Sequence, residues 1–290
     1  MKMTNLSARI VSLSLIAVVG LVCSCKDEER LTASDTQDIS EEALTDSYFQ
    51  DTDDMAGVAI ESPDDDTYSG GRKNGSIVIQ DDRFKCAGIV VSIDATGNIE
   101  HPTGVITVDF GIAGCTDTRG NVRKGKLKFA YDGRRFQPGS KVVMTPENYS
   151  INEIKLEGVR TSTNVQGSTS DAPKFRVVLE NGKATFPDGS FAERESDITW
   201  EWIRAVNPAD DHLLIDQVST ANGTTRGGRS YTVSVVEDLK YKRFCGIAVD
   251  GIKKYVIDGE KEIVINYGNG TCDKNVIISV NGVTRDLTVK

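Results

Sequence analysis

The sequence has few of the residues that most catalytic sites require. Its 290 residues include only two histidines and two tryptophans. A hydrolytic triad needs a histidine base that is oriented by a carboxylate and faces a nucleophile. His101 and His212 lie in expected loops, outside any nucleophile-elbow or zincin motif, and the sequence has no phosphate-binding glycine loop or dinucleotide fingerprint. We therefore expect a protein that is not an enzyme and that uses no cofactor and no metal.

Long apolar runs and basic patches are also scarce. The one strongly apolar run, from Ile10 to Val22, has about 13 residues, whereas a membrane-spanning helix needs roughly 20. It follows Lys2 and Arg9, so it has the cationic start and short apolar core of a signal peptide. Because the chain has no concentrated basic patch, we expect no nucleic-acid partner.

The apolar run ends in a candidate site for lipid attachment. Lipoprotein processing requires a small residue directly before the acylated cysteine and an aliphatic residue two places before that. Cys25 has Ser24 and Val22 in these places, whereas Cys23 has no small residue before it. Residues 1–25 are therefore expected to contain the signal peptide and its processing site, with Cys25 as the fatty-acylated first residue of the mature chain. A lipid anchor would make the membrane a partner; an uncleaved anchor or a buried strand is the alternative.

The four residues after this cysteine suggest a destination. Lys26, Asp27, Glu28 and Glu29 resemble the surface-export signal of Bacteroidota lipoproteins, in which a lysine and an acidic pair follow the lipidated cysteine. The resemblance implies the outer membrane, with the protein exposed at the cell surface and not on the periplasmic face. In the alternative interpretation, these acidic residues only begin a solvated linker.

The negative charge of the chain is concentrated just after the cysteine. Residues 26–66 contain 15 acidic and two basic residues, a net of −13, while the whole chain carries −9. Acid-rich segments repel themselves and bury little apolar surface. We therefore expect residues 26–75 to form a solvated acidic linker that holds the body away from the membrane. An N-cap at Asp38 and apolar residues at roughly helical spacing from Ile39 to Phe49 predict that part of it is helical.

Residues 76–290 have the pattern of β structure. Short β-branched runs alternate with turn dipeptides, and no stretch keeps a helical apolar period over three turns. Asn-Gly and Asp-Gly pairs adopt the positive φ values of tight hairpin turns. The expected turns are Asp132-Gly133, Asn181-Gly182, Asp188-Gly189, Asn222-Gly223, Asp258-Gly259 and Asn281-Gly282. The sequence predicts an all-β fold, an antiparallel meander that forms a sandwich or a long curved sheet after a disordered or partly helical acidic tether.

A short internal repeat occurs near the two ends of this body. The run Ile106–Gly111 and the run Ile263–Gly268 match in pattern, and each is followed by three residues and then a cysteine. Each is also preceded by another cysteine that lies shortly after a phenylalanine. We interpret these segments, about 84–130 and 243–290, as two similar cysteine-hairpin units. Whether the body is one domain or two is left open.

The four cysteines of these units are expected to form disulfides. An even number of cysteines in an exported chain indicates disulfide bonding. A two-residue turn at Asp258-Gly259 places Cys245 opposite Cys272 on antiparallel strands, within bonding distance; a bulge at Asp250-Gly251 would shift this register. Metal binding or a reactive thiol are the alternatives, but no CxxC spacing or neighbouring histidine supports them. The predicted pairs are Cys86–Cys115 and Cys245–Cys272.

Three segments of the body resemble a known family. They are residues 114–126, 154–161 and 267–273. Together they look like a family of uncharacterised Bacteroidota lipoproteins, with a resemblance that extends from about Cys86 to the end of the chain. The resemblance implies export and a β-rich body. It implies no activity and no functional residues.

One strand has a pattern that suggests a ligand. Trp200 and Trp202 would point to the same face of a strand, about 7 Å apart, as a stacking platform for sugar rings or, alternatively, as part of the core. Glu195, Asp197 and Glu201 are the carboxylates available to a glycosidase. We expect a lipid-anchored cell-surface protein that is structural or binds a glycan or protein; the alternative is a hydrolase of surface glycans that uses paired carboxylates.

Overall fold

The structure is a computed structural model that describes residues 30–63, 74–207, 210–242, 245, 247–273 and 275–288. The expected lipidation site Cys25 and the export residues Lys26, Asp27, Glu28 and Glu29 lie outside these residues. The described chain has one long helix followed by strands, so the predicted all-β fold with a helical N-terminal segment is confirmed.

The helix α1 extends over Ala33–Glu61. Sixteen strands follow: β1 (Asn74–Ser76), β2 (Val90–Ala95), β3 (Thr103–Asp109), β4 (Cys115–Thr116), β5 (Val122–Asp132), β6 (Lys141–Ile151), β7 (Ile154–Asn164), β8 (Lys174–Thr185), β9 (Phe191–Ile203), β10 (His212–Ile215), β11 (Thr220–Thr224), β12 (Ser230–Lys242), β13 (Ala248–Ile257), β14 (Lys261–Asn269), β15 (Asn275–Val280) and β16 (Val283–Thr288). A single 3-10 turn (Asp82–Phe84) precedes β2.

All sixteen strands belong to one antiparallel sheet, which confirms the long-sheet alternative. Each strand pairs with its neighbours in the chain, so the sheet is a meander without crossovers. At two positions in the sheet, two short strands lie end to end and do not pair with each other. One position is formed by β3 and β4, which both pair with β5, and the other by β10 and β11, which both pair with β9 and β12.

One of the predicted two-residue turns is present, and another belongs to a longer connection. Asn281-Gly282 is a two-residue turn with φ of 45° and 87°, as expected for a type I′ hairpin. Asp258-Gly259 belongs to a three-residue connection, because Ile257 pairs with Lys261. The prediction of a two-residue turn there is therefore wrong.

Two of the expected turn dipeptides lie inside strands. Asn181-Gly182 forms an irregularity within β8, and Gly158 of β7 lies so close that an added Cβ would be 2.8 Å from the Asn181 carbonyl oxygen. Asn222-Gly223 lies within β11, where a Cβ on Gly223 would be 1.9 Å from the Glu193 carbonyl oxygen. In strands, glycine here permits close backbone approach instead of a turn.

A continuous row of buried side chains crosses the sheet, one residue from each strand position. All are apolar or aromatic except Arg160 and Ser196. The row, read through the strand register, is Ile93, Ile106, Phe129, Met144, Arg160, Leu179, Ser196, Ala221, Val233, Tyr255, Ile263 and Val280. We call it the central row; it marks the face of the sheet that is covered by α1.

The helix α1 is packed on this face and is not a solvated linker. Thr32 and Asp35 form a reciprocal capping box that fixes its N-terminus. Its buried stripe alternates steps of three and four residues, the spacing of a helix face that contacts one partner surface. The stripe consists of Asp35, Asp38, Glu42, Thr45, Phe49, Thr52, Ala56 and Ala59.

The acidic segment therefore needs a correction. The partial helix is confirmed, but the predicted N-cap at Asp38 is wrong, because Thr32 caps the helix and Asp38 lies inside it. The expected solvated spacer over residues 33–61 is also wrong, because the buried acids of α1 meet basic residues on the sheet. Within the described parts of the chain, no helix is sufficiently long and apolar to cross a membrane.

Both predicted disulfides are present, Cys86–Cys115 and Cys245–Cys272. The two repeat segments also share local structure. Asp109 accepts a hydrogen bond from the Gly111 amide, and Asn266 accepts one from the Gly268 amide, with both glycines at positive φ. The predicted irregularity near Asp250-Gly251 is also present, as a register shift between β13 and β14.

Candidate functional site

The contact between α1 and the sheet is made largely of ion pairs. The basic residues come from β5, β7, β9, β13 and β14 and from loops between strands, so α1 lies across the sheet with its N-terminus near β14. The pairs are Asp35 with Arg229 and Lys261, Asp38 with Arg229, Glu41 with Arg226, Glu42 with Arg194 and Lys253, Asp46 with Arg194, Asp51 with Arg83 and Arg123, Asp53 with Arg160, Asp54 with Arg83, and Glu61 with Arg135.

The first group of pairs surrounds the helix N-terminus. Asp35 accepts hydrogen bonds from Thr32, Arg229 and Lys261. Burial opposes ionisation of this carboxyl, but the hydrogen bonds from Lys261, Thr32 and Arg229 outweigh it and lower the pKa of Asp35 to about 2. An acid in the first turn of a helix is also favoured by the helix dipole. Asp35 is thus held as a carboxylate.

The second group lies at the middle of the interface, where Glu42 and Arg194 are buried and Lys253 and Asp46 are half-buried. Glu42 pairs with Arg194 and accepts a hydrogen bond of 2.8 Å from the Tyr255 hydroxyl. Burial opposes the charge of Lys253, but Glu42 outweighs it and raises the Lys253 pKa well above its ordinary value. Burial likewise opposes ionisation of Asp46, yet Arg194 and Lys253 lower its pKa. The opposite charges of this group therefore stabilise one another.

The third group lies under the C-terminal half of α1. Arg123 is fully buried, and its Nη1 donates 2.6 Å hydrogen bonds to Asp51 and to the Tyr149 hydroxyl. Its Nε donates to Asp117, which is itself fully buried, at 3.1 Å. Burial raises the pKa of Tyr149, so this hydroxyl stays protonated. These contacts tie α1 to the start of β5.

A small cavity of about 110 Å³ lies between α1 and the sheet, beside the second group. We call it the interior cavity. Its apolar walls are Ile198, Trp200, Leu213, Ile215, Val233, Val235 and Leu239. Its charged lining includes Arg160, Arg194, Lys253, Asp46 and Asp53. It reaches the surface beside Gln50 and Asp54, both of which line it and are exposed.

The polar groups next to the interior cavity are not all satisfied. Arg160 is 5% exposed, and its Nε and Nη1 have no hydrogen-bond partner among the described residues; its nearest carboxylate, Asp53, is 3.9 Å away. The same holds for Arg194 Nε, and for Ser196 Oγ, which lies next to the cavity lining but is not part of it. Buried polar groups normally have partners. The three arginine atoms at the cavity donate hydrogen bonds, so together they favour a molecule that accepts them.

The tryptophan pair is divided between the cavity and the surface. Trp200 lines the interior cavity and stacks on Phe175, with ring centroids 4.7 Å apart. Trp202 lies under the Arg204 guanidinium, 4.4 Å from its ring centroid, and Arg204 also contacts Phe136. Both indoles are half-buried. Each therefore has one face occupied by a neighbour.

The carboxylates considered for hydrolysis lie on the other face of β9. Side chains alternate along a strand, so Glu195, Asp197 and Glu201 point away from the tryptophans and the interior cavity. Asp197 is paired with Arg176, and Glu195 accepts a hydrogen bond from the Asn181 amide. These groups are thus engaged in exposed contacts across strands.

Neither of the two histidines lines the interior cavity. His101 lies in an exposed turn and contacts Asp132. His212, expected in a loop, is the first residue of β10 and pairs with Ile203, which corrects that expectation. Among the described residues, no cluster of three or more His, Cys, Asp or Glu side chains is placed to hold a metal ion.

Sequence reasoning missed the buried arginines and the cavity. A signal existed in β9, where Arg194 shares strand parity with the buried Ala192 and Ser196. A second signal was the three-and-four spacing of the acids in α1.

Comparison with family models, curated proteins and solved structures finds no match for this chain.

Proposed function

We propose that this chain is a lipid-anchored outer-membrane protein, exposed at the cell surface, whose body binds a ligand and catalyses no reaction. The observation that supports binding is the interior cavity, where apolar walls meet buried donors without partners. Ligand sites combine such apolar linings with a few convergent polar groups. The two disulfides support an oxidising compartment outside the cytoplasm.

The hydrolase alternative lacks a comparable observation. A glycosidase needs two carboxyl groups that face each other across a cleft. The three carboxylates on β9 share one face of one strand, and Asp197 is bound by Arg176. This geometry favours binding over hydrolysis.

The position of α1 also affects how an anchored body would be held. Leu31 packs against the buried cluster formed by the last strands. Six residues separate Cys25 from Leu31, and six residues span at most about 20 Å. The proposed anchor therefore keeps the body close to the membrane surface.

Ligand binding is tested by filling the cavity. Val235 is buried and lines it, while the adjacent Val236 is 45% exposed and points away. We expect a panel of small metabolites and glycans to include compounds that raise the thermal unfolding midpoint of the protein. This shift should be lost in Val235→Phe and kept in Val236→Phe. Retained shifts in Val235→Phe would place the ligand elsewhere, and turnover of any compound would contradict a non-catalytic role.

Anchoring is tested separately by metabolic labelling with palmitate. Label should enter the full chain and Cys23→Ala but not Cys25→Ala, and protease added to intact cells should degrade the labelled protein. Label retained in Cys25→Ala would overturn the anchor, and protection from protease would overturn surface exposure.

A further inference from the structure

The two polar residues of the central row have no evident structural reason to be there. Every other member of the row is apolar or aromatic, and Tyr255, the one with a hydroxyl, donates it to Glu42. Arg160 and Ser196 instead keep buried donors without partners. Burying donors without hydrogen-bond partners costs stability that an apolar residue would not cost. Such a cost at two positions of one row is typical of a site that serves function.

The strand register places two of these donor residues at the interior cavity. Arg160 is on β7 and Arg194 is on β9, with β8 between them, and both line the cavity. Ser196 lies two residues from Arg194 on the same face of β9, next to this lining. The two strands are about 10 Å apart, so each arginine side chain has to reach across about one strand spacing to meet the other above β8. The two guanidinium groups can therefore address one acceptor group.

The opposite side of the cavity is apolar. Trp200, Leu213 and Val235 line it, and none of their side chains offers an acceptor for the arginines. A ligand that satisfies both sides has an anionic head with acceptor oxygens and an aliphatic body. A planar carboxylate matches guanidinium donors better than a strongly hydrated ion would.

The volume of the cavity limits the size of the ligand. Liquid water occupies about 30 Å³ per molecule, so a cavity of about 110 Å³ has the volume of roughly four water molecules. We propose that the interior cavity binds a small aliphatic monocarboxylate of about two to four carbons, with its head on Arg160 and Arg194 and its tail against Trp200. This assignment rests on the proposed ligand-binding function and names its ligand class.

The direct test compares propionate with its neutral isostere propionamide. Titration of the full protein should quench or shift the tryptophan emission and raise the unfolding midpoint with propionate. A ligand this small is expected to bind in the micromolar to millimolar range. Propionamide should bind at least about tenfold more weakly, because it is neutral and cannot form an ion pair with the arginines.

Variants at the central row separate binding from folding. Arg160→Met should bind propionate at least about tenfold more weakly and yet keep a single cooperative unfolding transition without ligand. Arg160→Lys should restore part of the affinity because it keeps a cation. Arg176→Met, at an exposed arginine on β8, is the matched control and should bind propionate normally.

Three outcomes would overturn the assignment. Equal binding of propionamide, or unchanged propionate binding in Arg160→Met, excludes carboxylate recognition while leaving a binding function in place. A lack of response to propionate, while another compound of the metabolite panel responds and is blocked by Val235→Phe, excludes this ligand class alone. If neither propionate nor any panel compound responds, both the assignment and the binding function fail.

Discussion

Single residues carry unusual weight at the interface of α1, because the acids there pair with bases of the sheet and several acids share one base. Glu42 and Arg194 are 2% and 3% exposed, so neither charge can be solvated if the other is removed. A buried ion pair adds little net stability compared with apolar residues, but breaking it is costly. The pairs therefore specify how α1 sits on the sheet more than they strengthen the fold.

The first prediction compares a buried and an exposed arginine. Arg194→Met should lower the free energy of unfolding by about 3–5 kcal/mol, since the buried Glu42 would lose its nearest cation and the half-buried Asp46 would lose its ion-pair partner. Arg176→Met removes an exposed pair with Asp197 and should cost less than about 1 kcal/mol. Urea denaturation measures both. Similar losses in the two variants would contradict the buried pairing.

The second prediction concerns acid. The folded protein holds Asp35 ionised down to about pH 2, whereas an unfolded aspartate takes up its proton near about pH 4. The stabilisation from Asp35 is therefore complete above about pH 4 and is lost as the pH falls towards 2, a change of roughly 2 kcal/mol. Urea midpoints measured at several pH values in this window should fall accordingly.

The Asp35→Asn variant is the control for this titration. It should be less stable than the parent protein at neutral pH, because Arg229 and Lys261 lose a charged partner. Its stability should then fall less between about pH 4 and pH 2. An equal fall in both proteins would assign the acid sensitivity to other carboxylates.

At the scale of elements, α1 combines two kinds of contact along one stripe. Its first half buries acids and threonine, and its second half buries Phe49, Met55, Ala56 and Ala59 against the apolar cluster of the early strands. An apolar stripe alone can shift along a partner surface, whereas a shift of a stripe of paired charges would leave those charges buried without partners. The second half thus adds apolar burial, while ion pairs in both halves, including Asp51 with Arg123, fix the register.

The third prediction tests the apolar half. Phe49 is fully buried at the midpoint of α1, and Phe49→Ala should lower the free energy of unfolding by about 3–5 kcal/mol. Leu44 is on the same helix but 40% exposed, and Leu44→Ala should cost less than about 1 kcal/mol. Thermal and urea unfolding measure both. A small effect of Phe49→Ala would show that α1 is not docked as described.

At the scale of the whole molecule, the sheet gains its stability from neighbours and from α1. Each strand contacts the strands next to it in sequence, so most of its pairing is local. The helix is the element that connects distant strands, since it meets β14 near Asp35 and β5 near Asp51. Strands away from α1 are stabilised by their neighbouring strands but not by the helix.

The fourth prediction follows from this arrangement. Amide hydrogen exchange should be slowest in β7, β8 and β9, which lie beneath α1, and fastest in β16. All six residues of β16 are exposed, and it pairs with β15 alone. Exchange protection measures the free energy of local opening. Uniform protection from β7 to β16 would contradict a sheet that opens from its end.

Local patterns were sufficient to predict the β meander, a helix within the acidic segment and both disulfides. These follow from local rules: alternation, turn residues and the even count of cysteines. The strand pattern also placed Trp200 and Trp202 on one face, although their surroundings depend on Phe175, Arg204 and the cavity.

The role of the acids of α1, in contrast, depends on the folded arrangement of the chain. In the sequence, Asp35, Asp38 and Glu42 are indistinguishable from the solvated charges of a linker, because their partners Arg229 and Arg194 lie more than 150 residues away. Whether a charge is buried depends on whether folding brings a counter-charge to it. The interior cavity and the unpartnered donors of the central row arise in the same way, from packing that no local pattern encodes.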